Sequence, residues 1–458
     1  METAVGALVL AAGKGTRMHS DEPKVLRALL GEPMLGYVLD SLRPSFGTRI
    51  HVVVGFGAQQ VREAFPAYEG RFVHQAEQLG TGHALQCAWD AVKTSGYEYL
   101  LVVNGDVPLA DPGDLAEFVS NAQEAGADLA FLTIDLPDPG AYGRVVRDAS
   151  GLARIVEAKD HLEAVHGPAT GEINAGIYLV KVDTIDKVLF KLTNSNRSGE
   201  FYITDLAELL GENGGRVIAV SRGRDENLLG INNPRELVQA EEGLRARIVA
   251  SWMERGVVIR QAGSVRIGPK AMLSPGCEVS GPCDILGETV IGPGARVAPY
   301  CWVKDSVVAG GASVHAFSHL ERATVGHDCQ AGPYARLRPG AVLEEGSRVG
   351  NFVEMKKAVL GPGAKASHLT YLGDAEVGAG ANVGAGTITC NYDGKNKFKT
   401  VIGQGAFIGS NTALVAPVTV GENALVGAGS VITEDVPTGA LAIARSRQVV
   451  IDRKKNPA

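Results

Sequence analysis

What the chain has little of narrows the problem first. No stretch of its 458 residues approaches the eighteen consecutive apolar residues of a membrane span. The apolar run Ala4 to Ala12 lacks a basic leader and passes directly into Gly13-Lys14-Gly15, so it reads as a buried strand entering a loop rather than a signal peptide. The six cysteines contain no Cys-x-x-Cys and no partnered histidine spacing, which argues against zinc; reduced thiols in the cytoplasm are the simple reading. Basic charge is not in surplus: 44 Lys and Arg face 51 Asp and Glu, a net −7. No broad nucleic-acid or membrane footprint follows, and any anion must be bound locally. Aromatics stand at 6%. Glycine is abundant at 58, but not at every third position, so the chain is neither collagen-like nor compositionally disordered.

Residues 1–231 alternate β-rich runs with amphipathic stretches: GALVLAA, RIHVVVG, YEYLLVVNGD and ADLAFLTIDL. Such alternation predicts an α/β domain with a Rossmann-like, mostly parallel sheet, whose ligands sit beyond the carboxyl ends of the strands. Two loops lie there: Ala11 to Arg17, and Asn104-Gly105-Asp106. Residues 232–255 read as a linker helix opened by Pro234 and closed before Gly256.

In residues 256–458 the period changes to six. Ile267, Leu273, Val279, Ile285, Ile291, Val297 and Val303 follow without a miss, and the last series runs Ile402, Ile408, Leu414, Val420, Val426, Ile432. Five-residue steps at 303 to 308, 320 to 325, 355 to 360 and 372 to 377 restart the count. An aliphatic at every sixth position suits a triangular coil in which each side turns one residue to the axis and a small residue rounds each corner. The polar stretch Thr389 to Lys399 breaks the beat and is expected to protrude as a functional loop.

Gly13-Lys14-Gly15-Thr16-Arg17-Met18 lacks the third glycine of a dinucleotide fingerprint, and no Gly-Lys-Ser/Thr of a P-loop occurs. What remains is a glycine-rich turn whose amides can cradle phosphate, with Lys14, Arg17 and Lys24 close by, or else a tight strand-to-helix turn with solvated lysines.

The string LAAGKGTRMHSDEPKVL resembles the opening motif of sugar-1-phosphate nucleotidyltransferases. Gln75 to Gly82, Asn104-Gly105-Asp106, Tyr142-Gly143-Arg144, Ile155-Val156-Glu157, Glu172 to Gly176 and Gly230 to Asn233 recur in that family's order. The resemblance implies that Leu10, Ala11, Ala12, Gly13, Lys24, Gln75, Gly80 and Thr81 hold UTP, and that Gly143, Glu157 and Asn174 hold the sugar. It also implies Mg²⁺ on Asp106 and Asn232, with Arg17 and Lys24 countering developing charge.

The run from Gly350 to Gly403 is similar to the acetyltransferase half of the bifunctional N-acetylglucosamine-1-phosphate uridyltransferase/glucosamine-1-phosphate acetyltransferase family, and the likeness extends over essentially the whole chain. It implies a left-handed parallel β-helix, homotrimers sharing acetyltransfer sites between neighbours, and the substrates glucosamine 1-phosphate, acetyl-CoA and UTP. Arg338, Lys356, Tyr371 and Lys397 would contact the phosphosugar, with Asn382 on the same wall. Ala385, Asn391, Tyr392, Ser410, Ala428 and Arg445 would lie along acetyl-CoA. His368 would be the general base, since an ammonium must lose its proton before attacking a thioester. Three rival readings are a nucleotidyltransferase with a purely regulatory β-helix, a non-enzymatic binding subunit, and an acyltransferase with an inert first domain. The first is opposed by His368, Tyr371 and the 389–399 insertion; the others by intact Lys24, Asp106 and Asn232. Cys283 and Cys301, eighteen apart, are expected to stack as packing groups, and the basic end Arg453-Lys454-Lys455 to be solvated.

Overall fold

The computed structural model describes residues 4–147, 151, 153–168 and 170–451, so the basic Arg453-Lys454-Lys455 end lies outside the described residues. The chain divides into two compact units, Met1–Glu242 and Gly243–Ala458, each described by itself. Among the described residues no helix is long and apolar enough to cross a membrane.

In the first unit a nine-stranded sheet is built from β1 (Val5–Ala11), β2 (Ile50–Val54), β3 (Phe72–His74), β4 (Tyr99–Asn104), β5 (Leu129–Asp135), β6 (Arg144–Arg147), β7 (Ala153–Val156), β8 (Glu172–Lys181) and β9 (Val217–Ser221). The main order is β9-β5-β8-β4-β1-β2-β3, with the β6–β7 hairpin attached to β8. β1 runs parallel to β2 and β4, and β9 parallel to β5. β8 is antiparallel to both neighbours, so the sheet is mixed. Near-continuous burial of β1 and β4 reflects apolar cover on both faces. The helices Met34–Phe46 and Pro112–Glu124 contribute Leu35, Leu39, Leu115 and Phe118 to one core, and Thr81–Thr94 contributes Leu85 and Trp89 to another.

The helix Pro234–Glu254 starts with a reciprocal cap. Asn233 Oδ1 accepts from Glu236 N at 3.0 Å, while Glu236 Oε2 accepts from Asn232 N at 2.6 Å. This fixes Asn232 at the mouth of the first unit's site.

The second unit is a left-handed parallel β-helix of three sheets with eleven, ten and nine strands. The in-phase aliphatics stack along its axis: Val279, Val297 and Val314 on one sheet, Ile285, Val303 and Leu320 on the next, Ile291, Val308 and Val325 on the third. All nine are buried in a single core. The five-residue steps have a structural cause. Each holds the residue two past the in-phase position in a left-handed conformation: Asp305, Arg322, Lys357 and Asp374, with φ of 46 to 49°. A corner closed that way needs one residue fewer.

Small residues round only some of the corners. Tyr300, Phe317, Tyr334 and Phe352 occupy another corner at φ of 54 to 62°. Their rings stack at 4.7, 4.9 and 5.2 Å, and stacking of roughly 0.5–1.5 kcal/mol per pair offsets a left-handed cost of about 1–2 kcal/mol per residue. Cys283 and Cys301 are free and buried. Burial, with Cys301 adding repulsion, pushes the Cys283 thiol up to about 12, and burial takes Cys301 to about 11, so both are unreactive packing groups.

Candidate functional sites

In the first unit two cavities open at the carboxyl ends of β1 and β4. One, of about 410 Å³, is lined by Leu10 to Arg17, Lys24, Gln75, Gly80 and Thr81. The other, of about 260 Å³, is lined by Gly143, Glu157, Asn174, Tyr178, Tyr202 and Thr204. Arg17, Asn104, Asp106, Glu200 and Asn232 line both, so the chemistry implied for their boundary falls where the lobes meet.

Backbone requirements explain much of the lining. Gly15 is left-handed, and a Cβ there would lie 2.6 Å from Lys24 Cβ; a Cβ built on Gly13 would instead meet nothing within 4 Å, on the side where the residue lines the cavity. Gly80 has φ +110°, with its Cβ position 2.4 Å from the Phe201 carbonyl. Gln75 is buried and donates to the Gly80 carbonyl at 3.0 Å, while Thr81 Oγ1 accepts from Ile203 N at 3.1 Å. The 75–83 and 200–204 segments are thereby tied together over the cavities.

At the boundary Lys24 Nζ forms an ion pair with Asp106 Oδ2 and donates to Asn232 Oδ1 at 3.0 Å; Arg17 Nη2 donates to the same oxygen at 3.1 Å. The Lys24 ammonium is a cation already seated between a carboxylate and an amide oxygen. Those are hard oxygen donors of the kind Mg²⁺ takes when substrate phosphates complete its shell, so the residues fit that ion. Asn104 Oδ1, two residues before Asp106, is buried without a hydrogen-bond partner, a further unspent acceptor.

The second cavity rests on an irregularity in β8. The register with β5 shifts between Asn174 and Tyr178, around Gly176 at φ +73°. Asn174 donates to Tyr178 Oη at 2.6 Å and accepts from Gly176 N at 3.0 Å. Burial holds the Glu157 carboxyl above the usual carboxylate range; Asp160 and Glu200 add to this, and Thr204 and Arg144 oppose it. The sequence reading missed Asn104, Tyr178, Glu200 and Thr204. Asn104 stood inside a quoted motif; the others are brought in by topology.

On the β-helix, Arg338 and Lys356 occupy successive coils of one face, and Tyr371 follows Glu354 in the neighbouring file. Arg338 Nη1 donates to Glu354 Oε1 at 2.8 Å. Lys397 and Arg338 beside it hold the Lys356 ammonium below the usual lysine range, a crowding of positive charge that a phosphate dianion would relieve. Asn382 departs from the same-wall expectation. Its strand, Asn382–Val383, belongs to the adjacent sheet, because each step of about six residues turns one face.

The 389–399 insertion is a hairpin. Tyr392 bridges Lys397, and Asp393 Oδ1 accepts from the amides of Lys395 and Asn396 at 2.8 and 2.6 Å. Tyr392 is exposed, whereas the Asn391 side chain is buried and donates to Asp374 Oδ2 at 2.5 Å, anchoring the hairpin's base.

The remaining residues fall into one file along a corner. Counting two past the in-phase position on each coil gives Asn351, His368, Ala385, Ser410 and Ala428 in order. Arg445 closes the file by donating to the Ala428 carbonyl at 2.5 Å. Asn351 and His368 thus stand at the start of a file that continues through the small residues Ala385, Ser410 and Ala428.

Comparison with known proteins places the chain among its relatives. Residues 7–164 match the MobA-like NTP transferase domain, residues 263–369 the GMPPB C-terminal domain, and residues 399–434 the bacterial transferase hexapeptide, six repeats. The chain is 59% identical to the "Bifunctional protein GlmU" of Nitratidesulfovibrio vulgaris strain Miyazaki F, with all of both chains covered. It is 57% identical to that of Oleidesulfovibrio alaskensis, covering 97% of this chain and 96% of the other. With that of Lawsonia intracellularis it shares 44% identity over 99% of both.

Proposed function

The chain belongs to the bifunctional GlmU family, and from that premise we propose that its two chemistries are carried by the two residue sets described above, one in each unit. It acetylates glucosamine 1-phosphate from acetyl-CoA, then transfers a uridylyl group from UTP to the N-acetylglucosamine 1-phosphate formed, releasing pyrophosphate. Mg²⁺ serves the second reaction.

For uridylyl transfer, the turn at Leu10 to Gly13 with Lys24, Gln75, Gly80 and Thr81 holds UTP; Gly143, Glu157 and Asn174 hold the sugar. The shared boundary of the two cavities supports this reading, because it brings the sugar phosphate beside the α-phosphate. Arg17 and Lys24 counter charge as the phosphate oxygen attacks. Bound through Asp106 and Asn232, Mg²⁺ would neutralise the triphosphate.

For acetyl transfer, Arg338, Lys356, Tyr371 and Lys397 hold the phosphosugar and His368 takes the ammonium proton. The elongated acetyl-CoA lies by Ala385, Asn391-Tyr392, Ser410, Ala428 and Arg445. The observation that carries this reading is the single file from His368 to Ala428, which sets the base at the end of a lane fitted to a long thioester. Outward side chains on two faces of a prism diverge, so Asn382 meets a phosphosugar on the Arg338 face only through a neighbouring chain; this supports a homotrimer with shared sites. The cytoplasm is the location proposed for it.

The test is a paired assay of both half-reactions. His368→Ala is expected to abolish acetyl transfer and spare uridylyl transfer, and Asp106→Ala to do the reverse. Loss of both activities in either folded variant overturns the two-site assignment.

A further inference from the structure

We infer that Asn351 is the positioning residue that makes His368 a base. The inference rests on the role proposed for His368 and goes one residue deeper. Asn351 Oδ1 lies 2.7 Å from His368 Nδ1. Neutral imidazole carries one proton, and an acceptor at Nδ1 selects the tautomer with that proton on Nδ1. Nε2 is then the nitrogen with the free lone pair.

The pair is held rigidly from below. Asn351 and His368 are register partners on adjacent coils, the Leu369 amide donates to the Asn351 carbonyl at 3.0 Å, and Thr370 Oγ1 donates to the His368 carbonyl at 2.7 Å. Asn351 also heads the file that continues through His368 to Ala385, Ser410 and Ala428. In the reaction, Nε2 takes a proton from the substrate ammonium, and the freed amine nitrogen bonds to the acetyl carbon. As the carbon–sulfur bond breaks, the proton on Nε2 passes to the departing thiolate and the acylated nitrogen sheds its second proton to water, so that the neutral amide forms and one proton is released overall. Throughout, Asn351 Oδ1 accepts from Nδ1–H and keeps Nε2 aimed into the lane.

Other groups bear on the charge of this imidazole. Arg348 and Lys365 are carried on the same two strands, and Glu354, Lys356 and Tyr371 on the two that follow the corner. None of them occupies the Nδ1 position, so replacing Asn351 isolates its contribution.

The experiment compares full-length wild type, Asn351→Leu, Asn351→Asp and His368→Ala. Asn351→Leu, which lacks the acceptor, is expected to lower kcat for acetyl transfer at least about tenfold, within the range of general-base contributions. Its KM for glucosamine 1-phosphate and its uridylyl transfer should stay at wild-type values. Asn351→Asp should recover activity and move the acidic limb of the kcat–pH profile upward, because a carboxylate stabilises the imidazolium. Nitrogen-15 histidine spectra should report the Nδ1–H tautomer in wild type and its loss in Asn351→Leu. A wild-type kcat in Asn351→Leu, or superimposable pH profiles for Asn351→Asp and wild type, overturns the inference while leaving His368 in place. Acetyl transfer surviving in His368→Ala overturns the base assignment itself, and this inference with it.

Discussion

Gly350→Ala is the sharpest test of how the coil spacing serves the second site. Gly350 needs no special backbone angle, since its φ is not in the left-handed range; what it lacks is room. A Cβ built there lies 2.0 Å from the Ser367 carbonyl oxygen and 2.7 Å from its carbon, both backbone atoms of the next coil. Ordinary contact begins at 3.4 Å, so the coils must part by about 1.4 Å at that point. Adjacent strands sit roughly 4.8 Å apart, and such an opening breaks ladder hydrogen bonds on either side. The bonds at risk are Arg348 N to Ala364 O and Leu369 N to Asn351 O, both 3.0 Å. Two bonds at about 1 kcal/mol each, with roughly 1–2 kcal/mol for overpacking, give about 3–4 kcal/mol of local destabilisation. The strand pushed away is the one carrying His368, and a displacement of about 1 Å can cost on the order of 10²-fold in rate. The expected result is a lowered calorimetric melting transition and acetyl transfer reduced about 100-fold, with uridylyl transfer intact in the same preparation. Gly243→Ala, in mid-helix with nothing within 4 Å, is the control and should be neutral or stabilising. Wild-type melting and acetyl transfer in Gly350→Ala would refute the reasoning.

Two further perturbations address the first unit. Lys24→Met removes the cation seated between Asp106 and Asn232, and uridylyl transfer should fall by about 10²–10³. Without nucleotide, Mn²⁺ binding followed by electron paramagnetic resonance should tighten, and unchanged affinity would show that Lys24 does not compete with the metal. Burial, with repulsion from Glu157, Glu208 and Asp160, pushes Asp205 up to about 7. Between about pH 4, the unfolded value, and about pH 7 the native state holds a proton the unfolded chain has lost, so stability falls as pH rises through that window. Asp205→Asn should flatten that fall; parallel melting–pH curves for the two proteins would refute the assignment.

The β-helix was legible because one core position in six carries the whole axial packing, and its aliphatics leave an unbroken beat from Ile267 to Val303. The five-residue steps were visible but unexplained, since their cause is a left-handed Asp, Arg or Lys rather than a glycine. The aromatic ladder went unread although Tyr300, Phe317, Tyr334 and Phe352 recur at about the length of one coil. Its residues sit three places past the core beat, outside the periodicity that marks the axis. In the first unit, motif strings pointed to the glycine-rich turn and Asp106, which line the cavities, but Tyr178, Glu200 and Thr204 reach the second cavity through an antiparallel strand and a loop with no such string. Asn351 depends on coil register, and the registers of residues 351 and 368 become fixed only once the 355 to 360 step is placed.

The two proposed anion sites solve the charge problem in opposite ways, and the difference suits the ligands proposed for them. Around Lys24 the protein supplies its own counter-charge: Asp106 pairs with the ammonium, Asn232 accepts from both Lys24 and Arg17, and the carboxylate of Glu200 lines the same cavities. A triphosphate arriving alone would meet that carboxylate as well as the lysine, so the site is balanced for an anion that brings a divalent cation with it. On the β-helix, by contrast, Lys356 faces Lys397 and Arg338, and among the described residues the carboxylate bonded within this group, Glu354, engages Arg338. Uncompensated positive charge of that kind fits a bare phosphate dianion. Acetyl transfer should therefore persist when magnesium is chelated, and added salt should raise its KM for the phosphosugar by screening an attraction that the first site has already neutralised.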